Sequence, residues 1–238
     1  MSLTSNTEYH LPLYLIDSPF ETLSKQSTSP TLPSAWNRNE SIELIQVGKN
    51  GLRAKYIGGG SDDAAIRTDY PIPRECGLYY YEVEIINKSL NGYDQILREY
   101  IGIGFATNSD SLDYPPGWYP NTNSYGYHGD DGRKFHASRN EGEAYGPPFT
   151  TGDVIGCGIN FLNGTAFYTK NGHNLGIAFR DIEGDFYPII GLSAFNETVE
   201  ANFGQDEFVF DVVKYAKELF AETNENEAIA ATNVISSD

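Results

Sequence analysis

The stretch Thr151–Phe179, TGDVIGCGINFLNGTAFYTKNGHNLGIAF, decides the fold. Two Asn-Gly pairs, Asn163-Gly164 and Asn171-Gly172, separate three short apolar runs. A two-residue type I′ turn needs positive φ at both central positions, which Asn and Gly adopt at little cost, so each pair predicts a tight antiparallel hairpin. The segment reads as a β-meander. A sheet built on such regular hairpins leaves recognition or chemistry to irregular loops elsewhere in the chain.

The same grammar extends outward from this stretch. Between Ile42 and Phe210, short runs rich in Val, Ile, Tyr and Phe alternate with turn signals, as in a sandwich or barrel. Strands are expected at Ile42–Val47, Leu52–Tyr56, Ala64–Arg67, Leu78–Ile86, Tyr100–Ala106, Ser124–His128, Arg133–His136, Val154–Asn160, Thr165–Lys170, Leu175–Phe179, Phe186–Leu192 and Thr198–Phe203. Asn50-Gly51 and Asp131-Gly132 are further hairpin signals. In Tyr79–Ile85 the alternation puts Tyr81, Val83 and Ile85 on one face and Tyr80, Glu82 and Glu84 on a half-exposed opposite face, which favours antiparallel sheet. A helix is expected from about Val212 to Glu222, where Val212, Tyr215, Ala216 and Leu219 recur at helical spacing behind Asp211 as N-cap. The Pro- and Ser/Thr-rich residues 1–35 read as an extended lead-in docked by Leu11, Leu13, Tyr14 and Leu15, residues 36–215 as one β-sandwich, and 216–238 as the end of the helix and a disordered tail.

Composition narrows the partners. The 238 residues carry 33 acidic and 16 basic side chains, a formal charge of −17, which repels phosphate backbones and anionic headgroups and argues against nucleic acid and membranes. Cys76 and Cys157 have no metal-ligand neighbours at useful spacing and read as buried structural thiols. No signal peptide or long apolar span is evident, so a cytoplasmic or nuclear protein is expected.

The search for catalytic chemistry comes back empty: there is no nucleophile elbow, phosphate loop, zinc motif or Cys pair, and the four His are scattered. Neither a catalytic residue nor a cofactor or metal site is expected. The run His128-Gly129-Asp130-Asp131-Gly132 lacks the alternating acids and distal Glu of a calcium loop. It reads as a hairpin tip in which Asp130 and Asp131 satisfy turn amides and Gly132 supplies positive φ. Gly102-Ile103-Gly104 lies within a strand pattern and reads as close packing rather than nucleotide binding.

Two irregular loops stand out. Gly58-Gly59-Gly60-Ser61-Asp62-Asp63 is an open connection between strands with no evident packing reason, read either as a plain linker or as a recognition loop. In Asp113-Tyr114-Pro115-Pro116-Gly117-Trp118-Tyr119-Pro120, three prolines hold three aromatics. This loop is either a rigid interface surface or a segment folded back over the sandwich edge.

The runs Asp63–Arg67, Gly77–Val83, Pro116-Gly117-Trp118, Tyr125–Gly132, Thr151–Phe179 and Ala201-Asn202-Phe203-Gly204 resemble the SPRY domain, and within that family most closely the RanBPM-like branch, over about residues 33–215. The resemblance implies an all-β fold, a bent antiparallel sandwich of two sheets of concanavalin-like jelly-roll type with a short terminal helix. It implies no catalysis, and protein or short-peptide recognition by loops at one end. Matched by motif, the partner-binding positions are Gly58, Gly59, Gly60, Ser61, Asp62 and Asp63, then Tyr114, Trp118 and Tyr119, then Phe195 and Asn196, the last pair entering only through the resemblance. RanBPM-like proteins are scaffold subunits of the GID/CTLH ubiquitin ligase, which implies other ligase subunits as partners of the parent protein and, in fungi, degradation of gluconeogenic enzymes. Two departures stand out: Leu90–Glu99 looks longer than the matching turn, and no LisH, CTLH or CRA module follows Phe220, so the chain reads as an excised domain. A sugar-binding lectin sandwich is the alternative, since such folds also place aromatics and Asp/Asn in loops.

Overall fold

The computed structural model describes residues 12–16, 21, 30–40, 43–59, 62–89, 100–138, 142–219 and 221. Leu11, the insertion Leu90–Glu99 and the tail beyond 221 lie outside these residues. Two compact units are distinguished, Thr31–Phe210, and Met1–Pro30 with Asp211–Asp238.

The larger unit is all β. Its strands are β1 (Ile45–Val47), β2 (Arg53–Tyr56), β3 (Ala64–Arg67), β4 (Leu78–Asn87), β5 (Ile101–Thr107), β6 (Tyr125–His128), β7 (Arg133–His136), β8 (Glu143–Ala144), β9 (Val154–Asn160), β10 (Thr165–Lys170), β11 (His173–Phe179), β12 (Phe186–Leu192) and β13 (Thr198–Asn202). They form a seven-stranded sheet, β1-β2-β13-β4-β9-β10-β11, and a six-stranded sheet, β3-β12-β5-β6-β7-β8, with antiparallel pairings. Twelve of these strands fall where the periodicity expects them. β8 was not expected, because a two-residue exposed strand carries no alternation to read.

The core between the sheets is aromatic. Tyr81, Tyr127, Tyr168, Phe105 and Phe186 are buried, and the Tyr81 hydroxyl donates across to Gly104 O at 2.7 Å. Burial of such rings removes the largest apolar areas available to side chains, while the hydroxyls require partners. Cys157 and Cys76 are buried free thiols whose pKa values burial drives up.

The expected half-exposed face of β4 is corrected. Tyr80 and Glu82 are buried alongside Tyr81 and Val83, and Glu84 alone of the alternate set is exposed. The segment after β13 covers that face: Phe208 and Phe210 lie 5.1 and 5.5 Å from the Tyr80 ring, and the Glu82 carboxylate accepts Val209 N and Phe210 N at 2.9 and 3.0 Å. A buried carboxylate is tolerable there because amide donors satisfy it.

The hairpin turns also need correction. Asn171 (φ 51°) and Gly172 (φ 79°) form the expected two-residue turn between Lys170 and His173. At Asn163-Gly164, however, Asn160 pairs with Thr165, leaving residues 161–164 in the loop with only Gly164 at positive φ (64°). The Asn160 side chain takes over the turn by accepting Leu162 N at 2.9 Å, a side-chain substitute for a backbone turn bond. Gly51 (φ 80°) and Gly132 (φ 72°) likewise close wider loops. Asp131 accepts Arg133 N as expected, whereas Asp130 is exposed and makes no such bond among the described residues.

In the smaller unit, Leu13–Leu15 form a 3-10 turn with Tyr14 and Leu15 buried. Residues 212–219 are helical, with Asp211 Oδ1 accepting Lys214 N at 3.0 Å as the N-cap and Val212 and Ala216 buried. Among the described residues no helix is long and apolar enough to cross a membrane.

Candidate functional site

One end of the sandwich gathers the connections β2–β3 and β12–β13, the head of β5 and the β6–β7 turn. Tyr56, the last residue of β2, stitches the first two together. Its N donates to Glu197 O at 2.9 Å and its O accepts Asn196 N at 3.0 Å, while its hydroxyl donates to Asp62 O. Gly58 is required in this corner, since a Cβ would lie 2.6 Å from Tyr56 Oη; Gly59 is exposed with open space around it. Asp62 is exposed and Asp63 half-buried, while Gly60 and Ser61 lie outside the described residues. The turn after β12 is shaped by Glu197, a buried carboxylate accepting Ser193 N and Ala194 N at 2.9 and 3.0 Å. With Asn196 in the left-handed region (φ 71°), Phe195 is turned outward and is 58% exposed.

Trp118 reaches the same end by another route. The long connection between β5 and β6 folds back along the outer face of the six-stranded sheet. Asp110 clasps its base, accepting Thr107 N at 2.7 Å and Asn123 N at 3.0 Å. Pro115 and Pro116 then lie over a glycine valley: a Cβ on Gly191 would stand 2.7 Å from Pro115 Cα, and one on Gly126 2.2 Å from Pro116 O. Gly102 lines this valley, while Gly104 is closed off by Tyr125 O, so close packing explains both strand glycines. At Gly117 (φ 80°) a Cβ would meet Phe135 O at 2.0 Å, so this hinge admits only glycine.

The result is an aromatic stack. The half-buried Trp118 ring lies 6.0 Å from Tyr100, 6.2 Å from His128 and 5.6 Å from Phe135. His128 is buried, its Nε2–H donating to Pro116 O at 3.0 Å, and burial lowers its pKa so that the ring stays neutral. Both readings of residues 113–120 therefore have a physical counterpart, since Pro115-Pro116-Gly117 fold back and are buried while the aromatics keep accessible surface. The three aromatics nevertheless part company. Tyr114 and Tyr119 stack on each other at 4.5 Å beside Ala106, Asp110 and Ile189, toward the far end of β5 from Tyr100.

Sequence reasoning missed the residues that join these pieces. Tyr100 N donates to Ser193 Oγ at 3.0 Å, and Ser193 Oγ donates back to Tyr100 O at 3.2 Å, tying the head of β5 to the Phe195 turn. The Tyr100 hydroxyl is buried beside the Asp63 carboxylate and interacts with it. Burial, then the charge of Asp63 and the hydrogen bond to it, then the charges of Asp130 and Glu197, push its pKa well up. Burial likewise raises Asp63, with Asp62 adding to it and Tyr100 opposing. The only available signal was Tyr100 opening a glycine-rich strand. Among the described residues no three His, Cys, Asp or Glu side chains gather as a metal site. A groove of about 340 Å³, lined by Pro71, Arg74, Asn108 and Tyr187 among others, opens at the opposite end.

Comparisons with known proteins agree with this architecture. Residues 78–206 match the SPRY domain family. The chain is 50% identical over 198 residues to the Drosophila melanogaster Ran-binding proteins 9/10 homolog and 47% identical over 190 residues to human Ran-binding protein 9, covering 82% and 79% of this chain. It spans only 19% and 25% of the length of those relatives. A human SPRY domain crystal structure superposes with a TM-score of 0.58 at 27% identity, covering 70% of this chain and 98% of that one. The SPRY domain of human HERC1, at 18% identity and TM-score 0.58, covers 73% of this chain and 100% of its own, and shares the fold. Two antiparallel sheets, the folded-back Pro-Pro-Gly-Trp loop and these relatives lead to one assignment: the chain belongs to the SPRY family of protein-interaction modules, in its RanBPM group.

Proposed function

We propose that this domain is a non-catalytic recognition module that holds a protein or short peptide at the loop end of the sandwich. One observation carries the reading: three segments far apart in sequence converge there, Gly58-Gly59 and Asp62-Asp63 through Tyr56, Trp118 through Tyr100, and Phe195-Asn196 through Ser193 and Glu197. An outward Phe on a hydrogen-bonded turn and a Trp ring held in a stack are the kind of anchors that lose little entropy on binding. Tyr114 and Tyr119 extend the proposed surface along the outer face.

The parent protein is proposed to be a scaffold subunit of a GID/CTLH ubiquitin ligase, in the cytoplasm or nucleus, with the module recruiting a substrate or regulatory partner for degradation. Support comes from 46–50% identity to several Ran-binding protein 9 and 10 relatives, and from the assembly role of RanBPM-like proteins. Affinity capture with the wild-type chain, with Trp118→Ala and Phe195→Ala, and with a variant replaced across 58–63 tests the module. Folded variants should lose the main partner; unchanged capture by all of them would sink the reading. Co-purification of ligase subunits with the parent protein tests the wider assignment separately.

A further inference from the structure

The Asn-Gly pairs at 50–51, 163–164 and 171–172 share a reactive juxtaposition but not a structural setting. In each, the glycine amide nitrogen follows the side-chain amide it can attack, and a residue without Cβ hinders that approach least. At Asn171 the carboxamide is pinned at both ends: Oδ1 accepts Val154 N at 2.8 Å and Nδ2 donates to Asp153 Oδ1 at 2.8 Å. At Asn50, Oδ1 accepts Leu52 N at 3.2 Å, and the N–H of the buried Gly51 donates to Gly48 O at 3.0 Å. Space differs in the same sense, since a Cβ on Gly51 would stand 2.8 Å from Ala35 Cβ and one on Gly172 3.0 Å from Val209 O. Asn163-Gly164 is the open case. Asn163 is exposed, and a Cβ on Gly164 would meet nothing nearer than 3.6 Å. Gly164 is held through its carbonyl, which accepts Ile182 N at 3.0 Å. Among the described residues the one bond to the Asn163 carboxamide comes from Thr165 Oγ1, which donates to Oδ1 at 2.6 Å.

We propose that Asn163 is a site of spontaneous covalent modification, at which the folded chain deamidates through a succinimide well ahead of Asn50 and Asn171. Gly164 N gives up its proton to solvent and attacks Asn163 Cγ, so the new C–N bond leaves a negative charge on Oδ1. The Thr165 hydroxyl already donates to that oxygen and stabilises the charge as it develops. The bond from Cγ to Nδ2 then breaks, and the nitrogen takes a proton from water and leaves as ammonia. Water opens the five-membered ring. Addition at Cγ gives aspartate in an unaltered main chain, whereas addition at the former backbone carbonyl gives isoaspartate, with the main chain routed through the side chain. Water is the only co-reactant, and either product adds a negative charge. At Asn171 the two hydrogen bonds must break before the carboxamide can turn toward Gly172 N, which should slow the same attack about ten-fold or more. The loop lies at the groove end of the sandwich, where Phe161 N donates to Gly77 O at 2.8 Å and Arg74 lies over the Phe161 ring at 5.5 Å. The mark therefore accumulates away from Trp118 and Phe195.

The experiment is to age the whole chain in warm, mildly alkaline buffer made with heavy-oxygen water and to follow peptides spanning positions 50, 163 and 171 by mass spectrometry. In the native chain, label should enter position 163 about ten-fold or more faster than position 171 or 50. In urea, where the three pairs lose their surroundings, the rates should converge. Isoaspartate at position 163 is read separately, as methyl groups accepted from S-adenosylmethionine in the presence of a protein-isoaspartate methyltransferase, and Asn163→Gln should remove that signal because its ring closure is slower. Asp153→Ala, which releases Asn171 Nδ2, should speed position 171 by about three-fold or more and leave position 163 unchanged. Thr165→Val should slow position 163 by about three-fold or more in the native chain but not in urea. Label entering position 171 or 50 as fast as 163 in the native chain overturns the proposal. So does a native position 163 that stays unlabelled while the chain in urea labels there. Equal ageing at 163 with and without the Thr165 hydroxyl overturns its assignment to the oxyanion. Should Thr165→Val fail to fold, the native and urea rates of the wild-type chain still decide.

Discussion

The meander β9–β10–β11 and the folded-back connection between β5 and β6 are opposite solutions to the same problem. In the meander, shape follows from neighbours in sequence: Asn171 and Gly172 both adopt positive φ and the flanking residues pair directly. In the connection, shape follows from residues far away, because Pro115 and Pro116 can lie against the sheet only where Gly126 and Gly191 leave no side chain. Local turn chemistry makes a scaffold robust and repeatable. A surface assembled by distant gaps can present a chosen side chain, here Trp118, at a chosen end.

The sharpest way to break this comparison is to fill the hinge. Gly117→Ala should cost about 3 kcal/mol, since strain at positive φ adds to a collision with Phe135 O. Urea denaturation reads the loss, and the Trp118 indole resonance should move in the folded fraction. A wild-type midpoint with an unmoved indole would mean that the connection is not held by its backbone. Next in size, Phe195→Ala should weaken partner binding by ~2 kcal/mol while unfolding changes by less than ~0.5 kcal/mol, because an exposed anchor contributes to the complex rather than the fold. Paired calorimetry and thermal melts separate the two quantities.

On the meander side, Gly172→Ala should cost ~1–2 kcal/mol, the price of a Cβ at φ 79°, and leave the Trp118 resonance untouched. A shift there would tie the two regions together more closely than their contacts suggest. The smallest effect concerns pH. Burial lowers the His128 pKa below its unfolded value near 6.5, so the unfolded chain binds the extra proton first. The contribution of His128 is fully present above about pH 6.5 and is lost as pH falls below it, by under ~1 kcal/mol between pH 7 and 6. His128→Phe should flatten that slope; identical slopes in the two proteins would show that the ring titrates freely.

Legibility divided along the same line. Apart from Glu143–Ala144, the strands from Ala64–Arg67 to Phe186–Leu192 were readable because alternation and β-branched or aromatic runs are local signals. Glu82 misled, since alternation with a charged residue looks like an exposed face until Phe208–Phe210 arrive to cover it. Trp118 was legible as an unusual loop aromatic, and Gly58–Asp63 as an unusually open loop. Their meeting through Tyr100 and Ser193 was not, because nothing in a strand-opening Tyr or a turn Ser announces a partner some ninety residues away in the chain.

The amino-acid sequence by itself determined the fold class, nearly every strand, the capped helix and the identity of the irregular loops, since each depends on backbone preferences and hydrophobic period within a few residues. Only the tertiary structure decided which loops share an end, which aromatics leave that end, and that a buried Tyr100 hydroxyl lies beside Asp63. Those outcomes depend on glycine gaps, register and burial summed over distant strands, quantities that no local window contains.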